Sequence, residues 1–133
     1  MELSPALRAL LEKQTFGHVI TMNRDGSPQV TLVWVEVRDG MPSFNTNQTR
    51  QKGRNLARDP RVMMSVQDPD NPREYALIEG TAKVSTDTAI DQINRLAGKY
   101  TGTAQYPNFQ PGEVRITVDI EVARVTGRGP WVA

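Results

Sequence analysis

The chain has 133 residues, a length typical of one domain over residues 1–133 that can bury a core without disulfides or metal ions. It contains no cysteine, which excludes a disulfide framework, thiolate zinc sites and a thiol nucleophile. Its 16 Lys and Arg against 15 Asp and Glu disfavour a nucleic-acid binder, which normally carries a basic excess. It shows neither an apolar run of about 18 residues nor a signal-peptide pattern, so we expect a cytoplasmic protein without a membrane partner.

The first half of the sequence predicts one helix followed by an antiparallel meander. Ser4 and Pro5 are a typical N-cap and first helical residue, and three leucines after them share one face, which predicts an amphipathic helix over 4–14. Apolar, partly β-branched runs then predict three strands, over 16–22, 29–37 and 41–46. Asp-Gly pairs between these runs predict tight hairpin turns.

The second half predicts two helices. A segment over 49–58 ends at an Asp-Pro pair and predicts a short helix that crosses the mouth of a barrel. Apolar residues at helical spacing over 86–100 predict a longer helix, capped by Thr86 or Asp87. A loop over 101–113 follows it.

Three more strands complete the pattern. They are predicted over 61–66, over 74–84 with a bulge or bend at Gly80, and over 114–126, where alternating apolar residues indicate a half-buried strand. The tail that begins at Gly127 is expected to be irregular. The elements together predict a mainly β fold with flanking helices, built as a six-stranded antiparallel, Greek-key-like barrel.

Few residues in the chain suggest catalysis by a side chain. His18 is the single histidine and lies within an apolar strand, so we expect no metal site. Neither a nucleophile elbow, nor a phosphate-binding P-loop, nor a dinucleotide-binding glycine motif is present. The acidic residues are scattered over turns without an obvious general acid–base pair. We therefore name no catalytic residue.

The basic segment that follows the third strand is the exception. Between residues 50 and 61 there are five basic residues and one acidic residue, and the segment opens a predicted helix. A helix N-terminus has free N–H groups and a partial positive charge, so it favours an anion. Arg50 and Lys52 would add fixed charge there, and the hydroxyls of Thr46 and Thr49 could complete a phosphate site. The alternative is a solvated basic helix face, which composition alone leaves open.

Three motifs, in order, resemble the split-barrel flavin and deazaflavin oxidoreductase superfamily, which includes the pyridoxamine 5'-phosphate oxidase-like proteins. The first is the hairpin and strand at 25–30, the second is Arg-x-Lys-x-Arg-Asn-Leu-x-x-Asp-Pro-Arg-Val at 50–62, and the third is Tyr-x-x-x-Glu-Gly-x-Ala at 75–82. The resemblance spans roughly residues 10–125. Within the superfamily the chain looks most like the mycobacterial and actinobacterial branch that uses coenzyme F-420, a deazaflavin.

The resemblance implies a cofactor site shared by the two subunits of a homodimer. Basic residues that match Arg50 and Lys52 hold the cofactor phosphate in such proteins. Tyr75 would reach the ring from the other subunit. Arg73 departs from the family, which has an aromatic residue there. The other residues expected at the cofactor are Gln29, Thr31 and Val33 along the ring, Thr46 beside the phosphate, and Arg54 and Asn55 nearby.

The resemblance also implies the activity. The expected enzyme transfers a hydride from reduced F-420 to an activated double bond of a small molecule, such as an enone, an unsaturated lactone or a quinone. Two alternatives stay open: an FMN-binding oxidoreductase of the same fold, and a non-catalytic F-420 carrier or sensor.

The sequence allows alternative roles for three aromatic features. Trp34 is expected in packing or in the dimer contact, because it alternates to the face opposite Val33. Trp131 could cap the substrate pocket or pin the C-terminus. Tyr100 and Tyr106 flank a loop that is either a lid or an anchored connection.

Overall fold

A computed structural model describes residues 1–132. These residues form three helices and seven strands. The helices are α1 (Pro5–Glu12), α2 (Gln51–Arg58) and α3 (Ala89–Thr101). The strands are β1 (Phe16–Met22), β2 (Pro28–Trp34), β3 (Glu36–Arg38), β4 (Met41–Asn47), β5 (Arg61–Gln67), β6 (Tyr75–Ser85) and β7 (Arg115–Arg128).

All strand pairings among the described residues are antiparallel, in one sheet of order β2-β1-β5-β6-β7-β4-β3. The sheet curls until β2 and β4 approach each other, which makes it a split barrel. The predicted mainly β fold with flanking helices is therefore confirmed. No helix within residues 1–132 is long and apolar enough to cross a membrane.

The predicted number of strands was wrong by one, because the run over 29–37 breaks at Val35. Before the break β2 pairs with β1, with Phe16 opposite Trp34. After it β3 pairs with β4, with Glu36 opposite Ser43. One continuous apolar run thus supplies both edge strands, since the chain leaves one side of the sheet and joins the other within a single residue.

Side chains of α3 satisfy the backbone at this break. The hydroxyl of Tyr100 accepts a hydrogen bond from the Val35 N–H at 3.1 Å and donates one to the Thr15 carbonyl at 2.6 Å. The ammonium group of Lys99 donates to the carbonyls of Val35 and Leu11 at 2.7 and 2.8 Å. Val35 itself is fully buried, so without α3 its peptide groups would lack partners.

The core lies inside the curled sheet and is closed by α1. Ser4 caps α1 through its hydroxyl, which accepts from the Leu7 N–H at 3.2 Å, as predicted. The apolar face of α1 is buried in the same cluster as the inner side chains of the sheet. Its largest fully buried members are Leu7, Leu10, Leu11, Phe44, Met64, Ile78 and Ile120.

Strand β7 differs from the half-buried strand that was predicted. All residues from Arg115 to Ile120 are buried, on both faces of the sheet, because α3 covers the outer face. Polar residues on that outer face therefore lie in a buried layer beneath α3. Val114, which was predicted to begin the strand, lies outside it and is exposed.

Two predicted details of β6 and β7 can be compared directly. The bulge at Gly80 is confirmed, since the register between β6 and β7 shifts between Glu79 and Gly80. A Cβ at position 80 would lie 2.2 Å from the Glu121 carbonyl oxygen, so only glycine fits there.

The tail is more regular than predicted because β7 continues to Arg128. Trp131 then donates to the Tyr75 carbonyl at 2.8 Å and packs into the core, which pins the C-terminus.

The predicted cap of α3 was also wrong. The helix begins at Ala89, and the residue in the N-cap position is Thr88 rather than Thr86 or Asp87. Thr88 makes no capping bond with its side chain, because its hydroxyl is hydrogen-bonded to that of Thr117 in β7 at 3.0 Å. The helix start is thus held by the sheet beneath it.

Tyr100→Phe tests the role of α3 at the strand break. Removal of the hydroxyl leaves the buried Val35 N–H without its partner, which we expect to lower the free energy of unfolding by about 1–3 kcal/mol. Urea denaturation followed by circular dichroism measures the change. Tyr75→Phe is the control, since that phenol is exposed, and an equal loss in both variants would contradict the interpretation.

Candidate functional site

A cavity of about 220 Å³ opens where β2, β4, the start of α2, α3 and the start of β7 meet. Its walls combine apolar and aromatic side chains with three basic groups. The residues that matter for its chemistry are Val33, Trp34, Asn45, Arg50, Lys52, Tyr106 and Arg115.

The turn from β4 into α2 positions two of the basic residues. The Asn47 side-chain oxygen accepts from the N–H and hydroxyl of Thr49 at 2.9 and 2.7 Å, and the Asn47 carbonyl accepts from the Arg50 N–H at 3.1 Å. Arg50 is the N-cap of α2 and makes no capping bond with its side chain, so the N–H groups of the first turn have no side-chain cap. A Cβ at Gly53 would lie 2.5 Å from the Asn47 carbonyl oxygen, so glycine is required for this close approach.

Lys52 is the most unusual residue of the cavity. It is only 6% exposed, and we find no hydrogen bond or ion pair for its ammonium group within residues 1–132. Burial, reinforced by the charges of Arg50 and Arg115, lowers its pKa to about 8. An ammonium group in this position has lost part of its water without gaining a counter-ion, which is the arrangement expected of a site that receives an anion.

Arg115 is a third basic group that the sequence analysis did not select. Its Nε donates to the Asn45 side-chain oxygen at 2.9 Å, and its guanidinium lies 5.2 Å from the centre of the Tyr106 ring. Its Nη1 is buried without a hydrogen-bond partner. The alternation over 114–126 placed Arg115 on a solvent-exposed face, so the local pattern alone could not reveal it.

The residues predicted along the cofactor ring lie on one face of β2, as alternation indicated. Gln29 and Thr31 are half-buried and Val33 is buried, whereas Val30 and Leu32 on the other face are exposed. The Thr31 hydroxyl is buried without a hydrogen-bond partner.

Thr46, predicted beside the phosphate, also has a buried hydroxyl without a hydrogen-bond partner among the described residues. The residue as a whole is 1% exposed. A buried hydroxyl left in this way is costly unless a ligand or water satisfies it.

Of the predicted site residues, Val33, Arg50 and Lys52 line the cavity, whereas Gln29, Thr31, Thr46, Arg54, Asn55 and Tyr75 do not. Arg54 points away and donates to the Thr49 carbonyl and the Gln51 side chain of its own turn. Asn55 is fully buried, and its amide donates to the side chains of Thr21 and Asn23, each at 3.0 Å. It therefore ties α2 to β1. Whether either residue touches a cofactor stays a prediction.

Tyr75 also lies outside the cavity of its own protomer. It begins β6, its side chain is 42% exposed, and its neighbours in the sheet are Gln67 and Arg128. A role for Tyr75 in the site therefore requires a second subunit.

Aromatic stacking builds the outer wall of the cavity. Trp34 is stacked on Tyr100 with ring centres 5.4 Å apart, and Tyr106 meets it edge-on at 6.2 Å. Phe109 packs edge-on against Tyr106 at 5.2 Å, and the Tyr106 N–H donates to Asn94 of α3 at 2.8 Å. Trp34 thus packs within the protomer, and the loop after α3 is anchored over the cavity.

Comparisons with known proteins agree with this fold. The family model described as pyridoxamine 5'-phosphate oxidase matches residues 3–127. A solved F-420 reductase is 30% identical, with a TM-score of 0.78 over 90% of this chain and 94% of that one. A conserved hypothetical protein from Mycobacterium tuberculosis is 26% identical, with a TM-score of 0.73 over 94% of this chain and 84% of that one. A heme-binding protein from Mycobacterium smegmatis, 20% identical with a TM-score of 0.70 over 97% of this chain and 55% of that one, shares the fold.

Lys52→Met tests whether the buried ammonium group lowers stability. Its pKa in the folded protein, about 8, lies below the ordinary value of 10.5, so folding disfavours the charged form. The penalty is fully present below pH 8 and disappears as the pH rises toward 10.5. We expect the ligand-free variant to gain about 1–2 kcal/mol at pH 7, since water in the cavity screens part of the charge.

The measurement is urea unfolding at several pH values. The advantage of the variant over the wild type is expected to shrink between pH 8 and pH 10. Lys83→Met is the control, because Lys83 is an exposed lysine paired with Glu121. A variant that is less stable than the wild type at pH 7 would show that the ammonium group is compensated in the folded protein.

Proposed function

Since this chain belongs to the pyridoxamine 5'-phosphate oxidase family of split-barrel oxidoreductases, we propose that it is a reductase that uses reduced coenzyme F-420. The observation that carries the proposal is the cluster of Arg50, Lys52 and Arg115 around a cavity, with a buried ammonium group that has no counter-ion. The similarity to a solved F-420 reductase over nearly its full length supports the choice of cofactor.

The residues of the cavity fit a phosphate-bearing cofactor. Arg50 and Lys52 stand at the start of α2, where backbone N–H groups and the helix dipole also favour an anion. The hydroxyls of Thr31 and Thr46 lie outside the lining of the cavity, and they too are buried without a partner among the described residues. In this proposal Arg50 and Lys52 hold the phosphate, and the face of β2 formed by Gln29, Thr31 and Val33 lies against the ring.

In this arrangement the cofactor and the protein have different roles. When bound, the deazaflavin would supply a hydride for an activated double bond of a small-molecule substrate, such as an enone, unsaturated lactone or quinone, and a proton from solvent or a nearby hydroxyl would complete the reduction. The residues of the chain orient the cofactor, neutralise its phosphate and exclude water from one face of the ring. This division explains why no paired acid and base is required among the side chains.

We also propose that the active form is a homodimer. Phe16, Val30 and Leu32 lie on the outer face of β1 and β2 and are 51%, 56% and 59% exposed. Exposed His18 lies opposite Leu32 on the same face, and exposed apolar side chains grouped in this way are typical of an interface.

Val30→Glu tests the homodimer. A charge in the patch would have to be buried unpaired, so we expect the variant to be monomeric at micromolar concentration and to bind F-420 at least 10-fold more weakly. Light scattering gives the mass. Val84→Glu is the matched control, because Val84 is 48% exposed on β6, away from this patch. A dimeric Val30→Glu variant would argue against this face as the interface.

The choice of electron donor tests the proposed activity. We expect reduced F-420 to reduce menadione or a coumarin-type enone, and NADPH without added flavin to give no turnover. All strand pairs in residues 1–132 are antiparallel, so the parallel βαβ unit of a dinucleotide site is missing from the described structure. Loss of absorbance of each reduced donor, in one buffer, measures the rates.

Fluorescence titration with oxidised F-420 and with FMN measures the affinity for each cofactor and completes this test. Lys52→Ala is expected to weaken binding about 10- to 150-fold, whereas Lys13→Ala and Lys83→Ala leave it unchanged. Preferential binding of FMN would identify a flavin enzyme of the same fold. Tight F-420 binding without turnover of any acceptor would indicate a carrier. Rapid oxidation of NADPH would refute the proposed donor.

A further inference from the structure

The guanidinium of Arg115 is fixed in place, but not all of its N–H donors have hydrogen-bond partners among the described residues. Its side chain is 3% exposed, Asn45 holds its Nε at 2.9 Å, and Tyr106 covers its face. Asn45 is itself held by α3, since its amide donates to the Ala89 carbonyl at 2.8 Å and to the Gln92 side chain at 3.0 Å. Nη1 has no hydrogen-bond partner within residues 1–132, although Arg115 lines the cavity. A donor oriented by so many contacts and left unpaired is a preorganised binding group.

The carboxylate nearest to Arg115 does not complete this arrangement. Glu113 Oε2 lies 3.7 Å from Arg115 Nη1, beyond hydrogen-bond distance, and accepts instead from the Asn47 amide at 2.8 Å. Its other oxygen is buried without a partner, and the side chain is 5% exposed. The two opposite charges therefore attract each other without sharing a hydrogen bond. Both retain unsatisfied polar atoms, which is costly in a buried position.

Arg115 also belongs electrostatically to the phosphate site. The charges of Arg50 and Arg115 both lower the pKa of Lys52, and Arg50 likewise disfavours the charged form of Arg115. The three cations are thus close enough to repel one another, with Glu113 as the carboxylate beside Arg115. One anionic ligand that contacts all three would remove this repulsion and satisfy Nη1.

We propose that Arg115 is the third cationic ligand of the phosphate, and that Glu113 is a resident carboxylate that competes with the phosphate for Arg115 and so lowers its affinity. The proposal rests on the proposed function for the presence of a phosphate-bearing cofactor. It assigns these two neighbouring charged residues opposite effects on the affinity for phosphate. If the pair had a purely structural role, with Glu113 and Arg115 supporting each other, loss of either residue would weaken cofactor binding.

The experiment compares Glu113→Gln, Arg115→Gln and the double variant. Glutamine at 113 keeps an oxygen that accepts from Asn47, and glutamine at 115 keeps an N–H donor for Asn45. We expect Glu113→Gln to bind phosphate-bearing cofactor about 3- to 10-fold more tightly, since a competing charge is removed. Arg115→Gln should bind it about 10- to 150-fold more weakly. In the double variant the gain from Glu113→Gln should disappear, because the two residues act on one contact.

Ligands with and without phosphate separate binding from folding. F-420 and FMN both carry phosphate, whereas riboflavin has the flavin ring without it, and the affinity for riboflavin should be unchanged in all three variants. Arg38→Gln is the matched control: Arg38 pairs with Asp119 in the same buried polar layer but does not line the cavity. It should lower the melting temperature without changing the affinity for the phosphate-bearing ligands.

The outcomes distinguish this proposal from the proposed function. FMN binding without F-420 binding would refute the choice of cofactor but leave Arg115 testable with FMN. If neither binds, inorganic phosphate should still raise the melting temperature of Glu113→Gln more than that of the wild type, and that of Arg115→Gln less than that of the wild type. Weaker binding by Glu113→Gln, or unchanged binding by Arg115→Gln, would overturn the proposal.

Discussion

The hydrogen bonds that α3 makes to the peptide groups of Val35 are the constraint on which the site depends. They allow one apolar run to leave β1 and join β4 within a single buried residue. The barrel splits at this point because the run pairs with β1 up to Trp34 and with β4 from Glu36 onward. Trp34 on one side of the break and Asn45 on β4 then face the same cavity. The packing of α3 thus determines both how the sheet closes and where the site opens.

A second constraint is the close approach of α2 to the end of β4. Gly53 permits it, and Asn55 secures the other end of the helix to β1 through Thr21 and Asn23. Lys52, next to Gly53 in the first turn, is carried into the cavity with its charge uncompensated. A fold selected only for stability would place an apolar residue there, because burial of an unpaired ammonium group costs free energy. The charge is therefore an indication of function rather than of folding.

Much of the fold could be predicted from local pattern. The leucine face of α1, the alternation of Gln29, Thr31 and Val33, and the glycine bulge at Gly80 each follow from periodicity or from sterics within a few residues. The basic start of α2 identified Arg50 and Lys52 because a helix N-terminus and two cations form a recognisable local signal. Arg54 and Asn55 stand in the same segment, yet the helix turns them away from the cavity.

Other features depend on parts of the chain that are distant in sequence. Alternation along β7 placed Arg115 in solvent, because a strand pattern does not reveal that α3 covers the outer face of the sheet. The break at Val35 was hidden for the same reason, since an apolar run looks continuous until α3 offers partners for its peptide groups. Local sequence was sufficient to predict the three helices, most of the strands and the basic segment, because neighbouring residues decide those. The tertiary structure alone decided which charges share one cavity, because burial and pairing are set by elements that meet only after folding.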